Sequence, residues 1–159
     1  MQWQKIENSL GLFYYSFYKT SKELLEIALK EEKITSYKIS ESINGKPYID
    51  NSNIFYNISH KNKMVGLIIS NSEVGLDIEY IDTENIKRQS SLKYFFTEKE
   101  RESITNNEEL LTLWTKKESY IKLNGGMLRD AIGLDINNIN VIYDTFKLDD
   151  YIITICKSK

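Results

Sequence analysis

Strand-sized apolar segments fill the first half of this chain, and helical spacing takes over after residue 82. That order restricts the available folds more than any single motif does. Leu10 to Phe17 (LGLFYYSF) reads as a strand. Ser21 then stands as an N-cap before Leu24, Leu25, Ala28 and Leu29, which recur at helical spacing until about Glu32. A short strand over Tyr37–Ser42 leads to the turn signal Asn44-Gly45-Lys46-Pro47, which holds the single proline. Phe55–Ile58, Met64–Ser70 and Val74–Ile81 follow as strands, the last two joined by the polar turn Asn71-Ser72-Glu73. Thr83–Phe96 is weakly patterned as a helix. Thr97 and Glu100 have the spacing of a capping box and open a short helix to Ile104. Asn106 or Asn107 caps a longer helix to about Leu123, with Leu111, Trp114, Glu118, Ile121 and Lys122 along one side and Gly125-Gly126 as its stop. Ile139–Tyr143 and Tyr151–Cys156 close the chain as a hairpin. This succession predicts an α+β fold with mainly antiparallel pairing, arranged as two lobes split near residue 75.

Composition removes several classes of function. The lone cysteine, Cys156, excludes an intramolecular disulfide framework and a multi-cysteine metal site, and reads as a buried small hydrophobe. Net charge is −2, so a broadly basic surface for nucleic acid is not expected. The longest aliphatic stretch, Met64 to Ile69, is strand-sized, far below the roughly 18 residues of a membrane span. Met1-Gln2-Trp3-Gln4-Lys5 lacks a basic-then-apolar secretion signal, and the expected location is the cytoplasm.

A few segments could carry chemistry. In a strand over Gly75-Leu76-Asp77-Ile78-Glu79, Asp77 and Glu79 share one face. Adjacent carboxylates repel unless a cation lies between them, and hard oxygen ligands suit magnesium. Taken alone, the pattern is better read as an amphipathic edge strand with a solvated acidic face, since such alternation is common. Glu118 and Lys122 are one helical turn apart, and an exposed pair of this kind contributes only about 0.3–0.5 kcal/mol. Glu118, however, shares a side with Trp114 and Ile121, where a carboxylate needs a partner. A metal shared with Asp77 and Glu79 would supply one. His60, the only histidine, follows the strand ending at Ile58 and enters a polar loop, where it and Ser59 could donate to a phosphate. Lys46 could reach an anionic ligand from the stiffened Gly45-Lys46-Pro47 turn.

Together these segments come in a particular order: G-K-P, N-I-S-H, G-L-D-I-E, F-F-T-x-x-E, then W-x-x-K-E-S-x-x-K. From about Leu24 to Gly126 the chain resembles the 4′-phosphopantetheinyl transferases, in their monomeric surfactin-synthetase-activating type. The resemblance implies two pseudo-twofold-related lobes with small antiparallel sheets and packed helices. Residues 1–75 would bind coenzyme A, and residues 76–159 would carry the metal site and dock the carrier. Asp77, Glu79 and Glu118 would hold magnesium on the coenzyme A pyrophosphate. A serine of an acyl or peptidyl carrier protein would attack the β-phosphate and release 3′,5′-ADP. Glu118 would be the base and Lys122 the neutraliser of the pyrophosphate and proton donor to the leaving group. His60 with Ser59 would contact coenzyme A, and Gly45, Lys46 and Pro47 would line its adenine side.

Departures from the family pattern are also visible. The basic cluster that usually precedes the first helix is missing; Lys22 stands at a cationic position there, with Lys19 nearby. Lys93 and Tyr94 replace the usual arginine before the paired phenylalanines. Lys87, Arg88 and Lys93, with Leu92 and Phe95, are the expected docking patch for an acidic carrier. Two other readings compete: a non-catalytic carrier- or nucleotide-binding module derived from such an enzyme, and a metal-dependent nuclease. Many nucleases place a lysine two residues after the second acid, where this chain has Ile81.

Overall fold

Leu24, Leu25, Ala28 and Leu29 form the apolar stripe of helix α1 (Ser21–Glu31), and the whole stripe is buried. The computed structural model describes residues 2–82 and 91–159. Thr20 caps α1, one residue ahead of the expected Ser21. Its hydroxyl accepts from Glu23 N, and the Glu23 carboxylate accepts from Thr20 N.

The helix lies on a four-stranded antiparallel sheet of β1 (Gln4–Asn8), β2 (Gly11–Ser16), β5 (Phe55–Lys61) and β6 (Met64–Ser70), in the order β1-β2-β6-β5. Tyr14, Tyr56, Leu67 and Ile69 meet α1 from one face of this sheet. By the strand period of two, Phe13, Tyr15, Met64 and Ile68 leave the other face. They pack on Leu76, Ile78, Ile153 and Ile155 of a second sheet. That sheet is also antiparallel, with β7 (Val74–Tyr80), β8 (Val141–Leu148) and β9 (Tyr151–Ser158) in the order β7-β9-β8. A short helix α2 (Glu98–Ser103) precedes the long α3 (Asn107–Leu123), which covers the outer face of the second sheet. Leu111, Trp114 and Ile121 of α3 cluster with Ile152 of β9. The layers therefore run helix, sheet, sheet, helix, with β3 (Ile39–Glu41) and β4 (Pro47–Ile49) as a separate ribbon.

The α+β class and the antiparallel pairing agree with the sequence. Several details refine it. β1 carries only half-buried Ile6 as an apolar contact and is an edge strand with too little pattern to announce itself. β5 continues through Lys61, so Ser59 and His60 belong to a strand rather than to a loop. Asn71–Glu73 joins β6 to β7 as expected, and carries the chain into the second sheet, since both edges of β6 are already paired, with β2 and β5. Of the weak helix expected over Thr83–Phe96, Thr83–Ser90 lies outside the described residues, and Lys93–Phe95 forms a 3-10 turn. No helix among the described residues is long and apolar enough to cross a membrane.

Candidate active site

β7 is buried along nearly its whole length, and its two faces have different work. Val74, Leu76 and Ile78 enter the core between the sheets, while Gly75, Asp77 and Glu79 face α3. Gly75 sets how close the helix comes. A Cβ there would sit 1.9 Å from Ser119 O and 2.7 Å from Leu123 N, so only a bare backbone fits. Contact at Ser119 places Glu118 and Lys122, on either side of it along the helix, beside Asp77.

β5 approaches β7 from the other side, and side chains join these two sheet edges. Asn57 Oδ1 accepts from Leu76 N at 2.9 Å, and Ser59 Oγ accepts from Ile78 N at 3.2 Å. Ser59 Oγ also donates to Asp77 Oδ1 at 3.2 Å and accepts from Lys122 Nζ at 3.0 Å. One donor and two lone pairs are thus all engaged. Ser59 positions the acidic strand and Lys122, and has no remaining capacity for a phosphate in this state. Lys122 Nζ reaches Asp77 Oδ1 at 2.6 Å and stands 3.9 Å from Glu118 Oε2. Lys61, on the same face of β5 as Ser59, pairs with Glu79 Oε2 at 2.9 Å.

The electrostatics are those of crowded anions. Asp77 and Glu79 are buried. Asp77 Oδ2 finds no hydrogen-bond partner among the described residues. The Glu118 carboxyl is pushed up to about 8, first by burial and then by the charge and contact of Asp77, with Glu79 adding and Lys122 opposing. These groups line a cleft of about 480 Å³, with Leu92 and Trp114 as its apolar wall. The donor set suits a hard divalent cation: three carboxyl groups, one with an orphaned buried oxygen. As placed, no three carboxylate, histidine or cysteine side chains among the described residues converge on one point; Lys61 and Lys122 hold two of the acids instead.

The remaining expected residues divide. Gly45, Lys46 and Pro47 line a smaller cavity of about 220 Å³ that shares Lys122 and Ile58 with the main cleft. Lys46 Nζ donates to Leu123 O at 2.7 Å and pairs with Glu73, so it docks the turn onto the end of α3. His60 is exposed and on the opposite face of β5 from Ser59, but borders the main cleft. Lys22 is exposed in the first turn of α1 and lines neither cavity. Lys87 and Arg88 lie outside the described residues. Lys93 is exposed, Leu92 is buried, and the Phe95 ring packs 5.1 Å from that of Trp114.

Two pairs escaped the sequence reading. Lys61 would follow from extending β5 by three residues, which puts it on the face of Ser59. Lys117 and Glu100 form a fully buried ion pair at 2.9 Å, although only the capping role of Glu100 was legible.

Three acids and two lysines, from the facing edges of β5 and β7 and from α3, thus gather at one cleft between the layers, a charge pattern suited to an anionic ligand and a hard cation. Residues 73–156, more than half of the chain, match the family model of the 4′-phosphopantetheinyl transferase superfamily, and the chain belongs to that family. The matched segment holds Asp77, Glu79, Glu118 and Lys122. The chain is also similar to the 4′-phosphopantetheinyl transferase gsp of Aneurinibacillus migulanus, 42% identical over 87 residues. That alignment covers 51% of this chain and 35% of the relative, so the chain spans about a third of the length of the curated protein it matches.

Proposed function

We propose that this protein moves 4′-phosphopantetheine from coenzyme A to a serine hydroxyl of an acyl or peptidyl carrier protein. The observation that carries the reading is the meeting of Asp77, Glu79 and Glu118 with Lys122 at one cleft, although Asp77 and Glu118 are far apart in the chain. Magnesium, held by Asp77, Glu79 and Glu118, would neutralise the pyrophosphate. Glu118 keeps its proton in the metal-free cleft, and a bound cation would favour its ionised form, in which it can take the proton of the incoming serine. The serine oxygen bonds to the β-phosphorus as the bond to the bridging oxygen breaks. Lys122 is placed to donate to the departing phosphate of 3′,5′-ADP. Such transfer needs orientation and charge neutralisation rather than covalent help from the protein.

The rest of the reading follows from placement. The halves at 1–75 and 76–159 act as pseudo-twofold-related lobes, the first holding the nucleotide and the second the cation and the carrier. Gly45, Lys46 and Pro47 sit where a nucleotide running past Lys122 would end. His60, at the cleft edge, is free to meet a phosphate or the adenosine. The carrier docks over exposed Lys93 and half-buried Phe95 beside the cleft, with Leu92 buried beneath them. The protein works as a cytoplasmic monomer, apart from nucleic acid and membrane. A derived binding module has one supporting observation, Lys22 standing outside both cavities, since that leaves the 3′-phosphate without its expected cation. Incubation with coenzyme A, magnesium and apo carrier separates the two readings. Transfer adds the mass of phosphopantetheine to the carrier; a module binds coenzyme A and leaves the carrier unchanged.

A further inference from the structure

Lys61 is not among the residues that the proposed transfer needs, yet it is tied to Glu79 inside the cleft. The carboxylates lie beneath and the ammonium groups lie at the rim. Side chains of Asp77 and Glu79 are 3% and 5% exposed, against 32% for Lys122 and 26% for Lys61. Each lysine therefore supplies, from the solvent side, the positive charge that a divalent cation would bring. The two are not held alike. Lys122 donates to both Asp77 and Ser59, the shorter contact at 2.6 Å. Lys61 pairs with Glu79 alone among the described residues, and is the weaker tether.

We propose that Lys61 is a displaceable counter-ion: it covers Glu79 until a divalent cation arrives, is then released, and turns to the phosphate oxygens of coenzyme A at the same rim. The proposal rests on the transfer reading for its ligand. It gives one side chain two opposite effects. Lys61 weakens binding of the cation alone, by competing for Glu79, and strengthens binding of the anionic substrate once the cation is in place. An ion pair that served only the fold would do neither.

The test is manganese binding without coenzyme A, followed by electron paramagnetic resonance on the wild-type protein and three variants. Lys61→Met removes the competitor. Lys63→Met removes an equal charge from the adjacent exposed turn. Lys61→Arg keeps the charge and can grip a carboxylate with two donors. Lys61→Met should bind manganese about fivefold tighter, Lys63→Met within about twofold of wild type, and Lys61→Arg no tighter than wild type. With manganese saturating, coenzyme A should bind Lys61→Met about fivefold more weakly, measured by calorimetry. Equal manganese affinity for Lys61→Met and Lys63→Met overturns the proposal, as does undiminished coenzyme A affinity in Lys61→Met. Should Lys61→Met fail to fold, tighter manganese binding by Lys61→Arg than by wild type overturns it. Absence of manganese binding in every protein removes both this proposal and the acidic ligand set. Manganese binding with the expected order, but no transfer to any carrier, removes the transfer reading alone.

Discussion

Removing Lys117 should damage this protein more than removing any other single charge described. The Lys117 and Glu100 side chains are 0% and 1% exposed, with Nζ 2.9 Å from Oε2. Lys117 Nζ also donates to Leu134 O and stands 5.5 Å from the centre of the Phe96 ring. Glu100 Oε2 accepts from Thr97 N at 2.8 Å, and Oε1 accepts from Ile136 N at 3.2 Å. One carboxylate thus joins the start of α2, the loop before β8 and the middle of α3. Lys117→Met keeps much of the stem's volume but leaves that carboxylate buried with two backbone donors and no cation. Loss of one partner from a buried pair costs about 3–5 kcal/mol, and the methionine stem recovers little because the lysine stem was already packed. Glu100→Gln leaves the cation buried on Leu134 O and the Phe96 face, and should cost about 2–4 kcal/mol. The double variant should be less destabilised than the sum of the two by about 2 kcal/mol or more. Urea unfolding at pH 7, followed by fluorescence of Trp114 beside Phe95 and Phe96, measures all three. A loss below about 1 kcal/mol for Lys117→Met, or strict additivity, refutes the claim that this pair holds α3 in register.

Other perturbations follow from the same geometry. Gly75→Ala puts a methyl 1.9 Å from Ser119 O, must push α3 off β7, and should cost about 3 kcal/mol in thermal unfolding together with most of the transfer activity. Ser59→Ala leaves Ile78 N buried without its acceptor and should cost about 1–3 kcal/mol, whereas Ser9→Ala on the exposed β1–β2 turn should change stability by less than about 0.5 kcal/mol. Glu118 has a folded pKa of about 8, above the ordinary 4.5, so the folded metal-free protein keeps a proton that the unfolded chain releases. Stability of the metal-free protein should therefore fall as pH rises between these values, by at most about 5 kcal/mol and nearer 2 given the partly exposed side chain. Glu118→Gln should flatten that slope and melt higher than wild type at pH 8; parallel melting curves from pH 5 to 8 would contradict the cause assigned to it.

Much of this was legible because it depends on local chemistry. Periodicity located β6, β7, α1 and α3, since each buries a face whose spacing is set by its own backbone. The acidic strand and the helix bearing Glu118 and Lys122 carried a motif pair, and their meeting was expected from resemblance. What remained hidden depends on partners distant in the chain. Ser59 looked like a phosphate donor because nothing in its neighbourhood says that Ile78 N, Asp77 and Lys122 will use all of its capacity. Lys117 and Glu100 each stood within a quoted motif, but their pairing was hidden because Glu100 reaches Lys117 only after α2 folds back. The Asn71–Glu73 turn was legible as the link between two strands, but sequence does not reveal that both edges of β6 are taken and that the turn leads into a second sheet.

The most direct measurement is the mass of an apo acyl or peptidyl carrier after incubation with this protein, coenzyme A and magnesium, with Asp77→Ala run alongside. The account predicts a gain equal to one phosphopantetheine for the wild-type protein and none for Asp77→Ala. An unchanged carrier mass with both carrier types, or full transfer by Asp77→Ala, contradicts it.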